Sequence, residues 1–180
     1  MEKVKLKTNI LKKEIINIFK KFGLSNNHAL ISANALINAE LVGAYGHGLS
    51  RLKMYCDRIS KKVINPKPKI KIKKISQSIS HVDGNNSIGF VAADIAIKTA
   101  IKNAKKTGIG LVAVKNSGHY GLSGYYAEQA VKKNLITMIY TNAPPELVNK
   151  QTTPFCNSCS LTSQFSYIRQ LYHHLSRSEN

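Results

Sequence analysis

The spacing of apolar residues predicts three helices in the first sixty positions. Apolar side chains recur at helical period through residues 9–22, and Gly23 follows as a stop signal. Ser25 is a good N-cap for a second helix over residues 26–42, which is rich in Ala and Leu. A third helix is predicted from about residue 48 to residue 62. The chain therefore begins with a helical segment.

Strand patterns replace the helical period after two prolines. Ile alternates with Lys over residues 69–73, which predicts a strand with one solvated face. A second short strand is predicted over residues 78–82, ended by the turn signal DGNN. Residues 89–108 then form a long amphipathic pattern that Gly108 stops. This part of the chain mixes strands with a helix.

Two further apolar runs predict a parallel sheet. Residues 109–114 and residues 135–141 are typical of strands buried on both faces, and a helical pattern lies between them. A strand, a helix and a second strand make a βαβ unit. The glycine-rich loop KNSGHYG then lies at the carboxyl end of its strand, where open α/β sheets bind ligands. The predicted fold class is α/β.

Composition fits a single globular unit with an unusual tail. The chain has 180 residues and is 43% apolar, which argues against disorder. Residues 151–180 contain no Lys, and only Ile168 represents Ile there. We expect an N-terminal helical segment at 1–65, a partial α/β domain at 66–148 and an unrelated tail at 149–180. A linker, a foreign tail or a shifted reading frame would each produce such a break.

Net charge adds one alternative function. The chain carries 27 basic and 9 acidic residues, a net charge of +18, and a nucleic-acid-binding protein would be basic in this way. Nearly all the basic residues are Lys, however, whereas readers of phosphates and bases rely on Arg. We therefore expect no nucleic-acid partner. No run of about 18 apolar residues exists, so we expect no membrane span and a cytoplasmic protein.

Metal and carboxylate chemistry have little support in the sequence. Cys156 and Cys159 form a CNSC motif, but no second pair completes a zinc site, so we expect no metal. Acidic residues are scattered, which argues against a paired-carboxylate hydrolase. Dinucleotide and phosphate fingerprints of the GxGxxG and P-loop types are missing.

One histidine motif suggests chemistry on small acids. His47, Arg51 and Tyr55 are spaced four residues apart, so on one helix they would share a face. Arg can hold a carboxylate with two hydrogen bonds, and His can exchange a proton with a carbonyl or hydroxyl group. This is the equipment of a 2-oxo-acid or 2-hydroxy-acid site. A solvated helix face with a stray His is the alternative.

A second histidine lies in the glycine-rich loop. Gly118 and Gly121 flank His119 and would let the backbone approach a ligand just before a helix N-terminus. An ordinary turn histidine is the alternative. Asn142 and Ala143 follow the next predicted strand and are expected at the same sheet edge.

Four motifs together resemble a known family. They are ALISANALINAELVGAYGHGLSRLKMY, HVDGNNSIGF, GIGLVAVKNSGHYGLSGYYAEQA and IYTNAPP, and their order and separations resemble those of the malate/L-lactate dehydrogenase family. This is a non-Rossmann group that includes ureidoglycolate and sulfolactate dehydrogenases. The resemblance covers roughly residues 9–148.

The resemblance implies a function and roles for these residues. Family members transfer a hydride between NAD or NADP and a 2-hydroxy or 2-oxo acid, and they form homodimers. His47, Arg51 and His119 match catalytic positions, with Arg51 on the substrate carboxylate, and we place Tyr55 beside it as a substrate ligand. His119, Gly121, Asn142 and Ala143 match cofactor-binding positions. Which histidine, His47 or His119, donates the proton stays open.

Two departures from the family pattern qualify this expectation. Gly46 stands where many members have Ser, although some relatives also have GHG. The family sequence is also expected to continue well beyond residue 148, so we interpret the chain as a truncated and frameshifted member. A non-catalytic remnant is therefore an alternative to an active dehydrogenase.

Overall fold

A computed structural model describes residues 6–141. Residues 6–135 belong to one compact unit, and residues 136–141 belong to a second. The first unit contains five α-helices and three strands. In chain order they are α1 (Thr8–Lys21), α2 (Asn26–Leu41), α3 (Leu52–Ser60), β1 (Lys71–Lys74), β2 (Ile79–Ser87), α4 (Gly89–Thr107), β3 (Leu111–Ser117) and α5 (Ser123–Val131).

The predicted first two helices are confirmed, and local capping explains their limits. Ser25 is the N-cap of α2, and its side chain accepts a hydrogen bond from the His28 N–H. Gly23 and Gly43 follow α1 and α2 with φ values of +92° and +78°, a conformation that only glycine adopts without strain. The long helix also ends as predicted, at Gly108 with φ +82°. These ends are local properties of the chain.

The predicted third helix is partly wrong. Two short 3₁₀ turns, Tyr45–His47 and Leu49–Arg51, precede α3, which spans only Leu52–Ser60. Gly48 separates the two turns with ψ −137°, outside the helical region. The continuous helix predicted from residue 48 is therefore broken at its start.

The sheet has three strands in the order β1-β2-β3. The strand β1 pairs with β2 in antiparallel fashion, and β2 pairs with β3 in parallel, with α4 as the crossover. The βαβ unit is thus β2-α4-β3, one step earlier than predicted. The predicted end of β2 at DGNN is wrong, because the strand continues to Ser87 with irregular register after Asp83.

The predicted burial of the next strands is wrong within the described residues. Most residues of β3 are exposed, because β2 covers one edge and α4 covers one face among the described elements. Residues 135–141 form no strand, and Ile136 and Met138 are exposed. A run of apolar residues indicates a propensity for strand, but a strand forms only where a neighbouring strand supplies its hydrogen bonds.

The main hydrophobic core lies between the helices and the start of α4. Its buried members come from α1, α2, α3 and the first turn of α4, together with the loop residues Leu24, Ile64 and Ile88. Packing of α1 on α2, and of α2 on α4, joins the N-terminal helices to the βαβ unit. No helix among residues 6–141 is both long enough and apolar enough to cross a membrane.

Candidate active site

His119 is joined to the N-terminal helices by a hydrogen bond. It lies in the loop between β3 and α5, and its Nδ1 is 2.7 Å from the hydroxyl oxygen of Tyr55 in α3. The Gly121 N–H also donates to Nδ1, at 3.3 Å. Since Nδ1 is the site of both contacts, the other ring nitrogen is left for other chemistry.

Close contact with the first turn of α4 holds the His119 loop. A side chain at Gly89 would collide with the carbonyl oxygens of Gly118 and His119. Gly121 has φ +80°, and a Cβ there would lie 2.7 Å from the ring of Phe90. Glycine is therefore required at residues 89 and 121 for the loop to lie this close to the helix.

Tyr55 is enclosed by the core. Its side chain is 1% exposed and lies against Phe90, with ring centroids 4.8 Å apart. Burial raises the pKa of Tyr55 well above its usual value, against a smaller opposite effect from Arg51 and Arg58. The hydroxyl therefore keeps its proton, and it can either donate to Nδ1 or accept from it.

The two 3₁₀ turns bring His47 and Arg51 to the side of His119. The rings of His47 and His119 are nearly parallel, with centroids 5.9 Å apart. The side chain of Arg51 is exposed, and its Nε donates to the Gly46 carbonyl oxygen at 2.8 Å. This bond fixes the guanidinium plane and uses only one of its five donors.

A carboxylate anchors the segment that carries His47 and Arg51. Glu40, in the last turn of α2, accepts a hydrogen bond from the Leu49 N–H at 2.7 Å through Oε1. Gly48 lies so close to Glu40 that a Cβ would overlap the carboxylate. Gly46 differs, because a Cβ there would meet nothing within 4 Å, so the Ser found in many family members would fit.

The site favours a neutral His119 and an anionic ligand. Partial burial lowers the pKa of His119, and the charges of His47, Arg51 and Arg58 lower the pKa further. A bound carboxylate would offset this positive potential and would therefore favour the protonated ring. The arrangement can hold an acid and exchange a proton with it.

The predicted site residues have different outcomes. His47, Arg51, Tyr55, His119 and Gly121 all lie in the compact unit described above, and the hydrogen bond and ring contacts link His47, Tyr55 and His119 directly. The single helix face expected for the first three is wrong, because His47 and Arg51 lie on the 3₁₀ turns. Asn142 and Ala143, like the CNSC motif and the tail, fall outside the described residues.

Sequence patterns missed two supporting residues, Glu40 and Phe90. Phe90 contacts both Tyr55 and the Gly121 backbone, and nothing in its local pattern distinguishes it from an ordinary core residue. Glu40 could have been found from the sequence, because a carboxylate in the last turn of a helix interacts unfavourably with the helix dipole. A carboxylate at such a position indicates a specific hydrogen-bond partner. Among residues 6–141, no group of three His, Cys, Asp or Glu side chains could hold a metal ion.

Comparisons with known proteins agree with this geometry. L-sulfolactate dehydrogenase of Methanocaldococcus jannaschii is 39% identical over 142 residues, which is 79% of this chain and 41% of that protein. Ureidoglycolate dehydrogenase (NAD(+)) of Escherichia coli O157:H7 is 30% identical over 81% of this chain and 42% of its own length. The structure of malate dehydrogenase from Pyrococcus horikoshii OT3 has a TM-score of 0.71 and 37% identity, and the match covers 75% of this chain and 38% of that one.

The matched region contains every described site residue. The chain spans about two fifths of the length of the relatives it matches. A family model described as malate/L-lactate dehydrogenase matches residues 6–153. The chain therefore belongs to the malate/L-lactate dehydrogenase family.

Proposed function

We propose that this chain belongs to an oxidoreductase that transfers a hydride between NAD or NADP and a small 2-hydroxy or 2-oxo acid. One observation carries the proposal. The ring of His119 lies 5.9 Å from the ring of His47, and the exposed Arg51, four residues after His47, is close enough for its charge to lower the pKa of His119. The proteins that match the same residues include a sulfolactate, a malate and a ureidoglycolate dehydrogenase. Each of these three enzymes is named for a small acid.

Arg51 would hold the substrate carboxylate. Its Nε is used by the Gly46 carbonyl, and its terminal nitrogens have no hydrogen bond among the described residues. Two parallel N–H donors match the two oxygens of a carboxylate. Bound in this way, a 2-oxo acid would present its second carbon and carbonyl oxygen to the two histidine rings.

His119 would exchange the proton through Nε2. In reduction, the cationic ring gives the Nε2 proton to the carbonyl oxygen as a hydride reaches the carbon, and the product is a hydroxyl group. The ring is then neutral, and its remaining Nδ1–H donates a hydrogen bond to the Tyr55 hydroxyl oxygen. Oxidation of a 2-hydroxy acid reverses these steps. His47 lies beside this path and would orient the substrate oxygen.

The described residues also fit part of a nicotinamide cofactor. The NAD or NADP supplies or accepts the hydride when it is bound. His119 keeps an exposed surface, and a Cβ at Gly118 would meet nothing within 4 Å, so a ring could lie against this side of the loop. Gly121, which matches a cofactor-binding position of the family, packs against Phe90 and would contribute through its backbone. We propose Asn142 and Ala143 as further cofactor contacts, and a homodimer in the cytoplasm as the assembled form, on the family resemblance alone.

Binding and turnover can be tested separately. Calorimetry would measure the affinity of the 180-residue chain for 2-oxo acids, and loss of absorbance at the nicotinamide band would measure reduction with NADH and with NADPH. His119→Gln should lower kcat by at least about a hundredfold if His119 is the general acid. Binding of the acid should persist in this variant, since Arg51 is unchanged.

Two outcomes would contradict the proposal. The first is a chain, alone or joined to the remaining part of a family member, that binds no 2-oxo or 2-hydroxy acid. The second is a steep salt dependence of nucleic-acid binding without any binding of small acids, which would favour the nucleic-acid alternative.

A further inference from the structure

The hydroxyl of Tyr55 faces His119 from inside the core. The Tyr55 side chain is 1% exposed, and its one hydrogen bond among the described residues goes to Nδ1 of His119. A substrate ligand needs an accessible donor or acceptor, and this hydroxyl is already used in a closed environment. Its contact with the reaction must therefore pass through the imidazole.

The contacts at Nδ1 select one form of the neutral ring. The Gly121 N–H can only donate, so its bond at 3.3 Å requires Nδ1 to accept. The Tyr55 hydroxyl oxygen lies 2.7 Å from the same nitrogen, and it is the donor when Nδ1 accepts. A neutral histidine with an unprotonated Nδ1 carries its proton on Nε2. Within residues 6–141, Nε2 forms no hydrogen bond, so this nitrogen is available to a ligand.

The packing makes the orientation of the ring a property of the fold. Phe90 lies against Tyr55 and also closes on Gly121, so the same side chain supports both donors to Nδ1. Because Tyr55 can also accept from a protonated Nδ1, the ring keeps one orientation when its charge changes.

We propose that Tyr55 is a positioning residue for His119: its buried hydroxyl holds the imidazole in one orientation that leaves Nε2 free for a ligand, and it favours the Nε2–H form of the resting neutral ring. This inference rests on the proposed function for the exchange itself. The positioning can be tested without turnover, because the tautomer of a histidine is measurable in the resting protein.

The experiment uses the full chain labelled with ¹⁵N-histidine, and His119→Gln assigns the His119 signals. Nitrogen chemical shifts distinguish the two neutral tautomers above the pKa of the ring. We expect the Nε2–H form to dominate in the unaltered protein. In Tyr55→Phe, loss of one hydrogen bond should raise the share of the Nδ1–H form by about fivefold relative to the other.

Tyr126→Phe is the matched control. Tyr126 is also buried, at 2% exposed, and its hydroxyl donates one hydrogen bond, to the Tyr120 carbonyl oxygen at 2.8 Å. Both variants should lose similar stability, about 1 kcal/mol by the usual value of one hydrogen bond. The Tyr120 carbonyl shares a peptide group with the Gly121 N–H, so Tyr126→Phe should change the His119 tautomer ratio less than Tyr55→Phe does.

Kinetics provide a second readout that separates positioning from substrate binding. If the reaction is observed, Tyr55→Phe should lower kcat and leave KM for the acid nearly unchanged, whereas loss of a substrate ligand would raise KM. An unchanged tautomer ratio in Tyr55→Phe, or equal effects of both variants, would overturn the inference. A shifted ratio in a protein that binds no acid would overturn the proposed function and leave the positioning intact.

Discussion

The guanidinium of Arg51 has two separable roles at the scale of single residues. Its Nε donates to the Gly46 carbonyl at 2.8 Å and so sets the plane in which its other donors lie. The remaining donors would then receive the substrate carboxylate. Lys has one compact ammonium group and cannot do both at once.

Arg51→Lys should therefore weaken binding of a 2-oxo acid by about ten- to hundredfold, the value of one or two charge-assisted hydrogen bonds. Nicotinamide-cofactor affinity should change much less. Isothermal titration of each ligand measures the two effects, and Arg58→Lys in α3 is the control for a lost guanidinium. An equal loss of both affinities would contradict the role given to Arg51.

His119 should make stability depend on pH. Because partial burial and nearby positive charge lower its pKa in the folded protein, the unfolded chain binds protons more readily. Neutral His119 makes its full contribution to the free energy of unfolding above the ordinary histidine pKa of about 6.5. This contribution is lost as the pH falls through the lowered pKa of the folded protein. Acidification therefore favours unfolding.

Urea denaturation between pH 8 and pH 5, as rough limits around that pKa, would measure this effect. His119→Gln should reduce the loss of stability on acidification. His81→Gln is the control, because it makes the same substitution at an exposed position of β2 away from the site. His28 is a second contributor, since burial also lowers its pKa, so part of the dependence should persist in His119→Gln. A full pH dependence in His119→Gln would be inconsistent with the site as described.

At the scale of elements, local signals predicted helix ends well and strand partners poorly. Ser25 and the glycines after α1, α2 and α4 act within a few residues of the helix they limit. Strand pairing instead depends on distant segments: among the described residues the parallel partner of β3 is β2, and residues 135–141 form no strand. The exposure of β3 follows from the same non-local packing.

The candidate site shows the same division. His47 and His119 were identified from their glycine-flanked motifs, and the structure brings their rings together. The contact of Tyr55 with His119 was not predicted, because the two residues are 64 positions apart in sequence. Spacing within a motif cannot report contacts between motifs.

Gly48 tests how tightly the 3₁₀ segment is anchored. Gly48→Ala would place a methyl group on the Glu40 carboxylate and displace the hydrogen bond to Leu49. We expect a loss of about 1–3 kcal/mol in the free energy of unfolding, as is usual for overpacking. Gly46→Ala is the control two residues away, and it should stay within about 0.5 kcal/mol because its Cβ meets no neighbour. Equal effects of both variants in urea denaturation would contradict the anchoring.

At the scale of the whole molecule, the two outer strands of the described sheet differ in chemistry. The strand β1 is KIKK, and lysines on an edge strand discourage pairing with other chains. The strand β3 exposes Leu111 at 59% and Val114 at 42%. Exposed apolar side chains on an outer strand favour association.

Leu111→Lys should therefore lower the tendency of the chain to associate. Sedimentation velocity over a concentration series would measure it, and we expect a smaller weight-average mass at the highest concentrations. Ile72→Lys on β1 is the control, because lysines already flank that position. Identical sedimentation of Leu111→Lys and the unaltered chain would show that β3 does not drive association.

The distance along the chain between Tyr55 and His119 also affects how the protein folds. A hydrogen bond across 64 residues cannot form until the intervening strands, turns and α4 have collapsed around it. Partial unfolding of any intervening element should therefore break it, while α1 and α2 could keep their own hydrogen bonds. Native-state hydrogen exchange would then assign the His119 loop and α3 to one cooperative unit, with a common opening free energy.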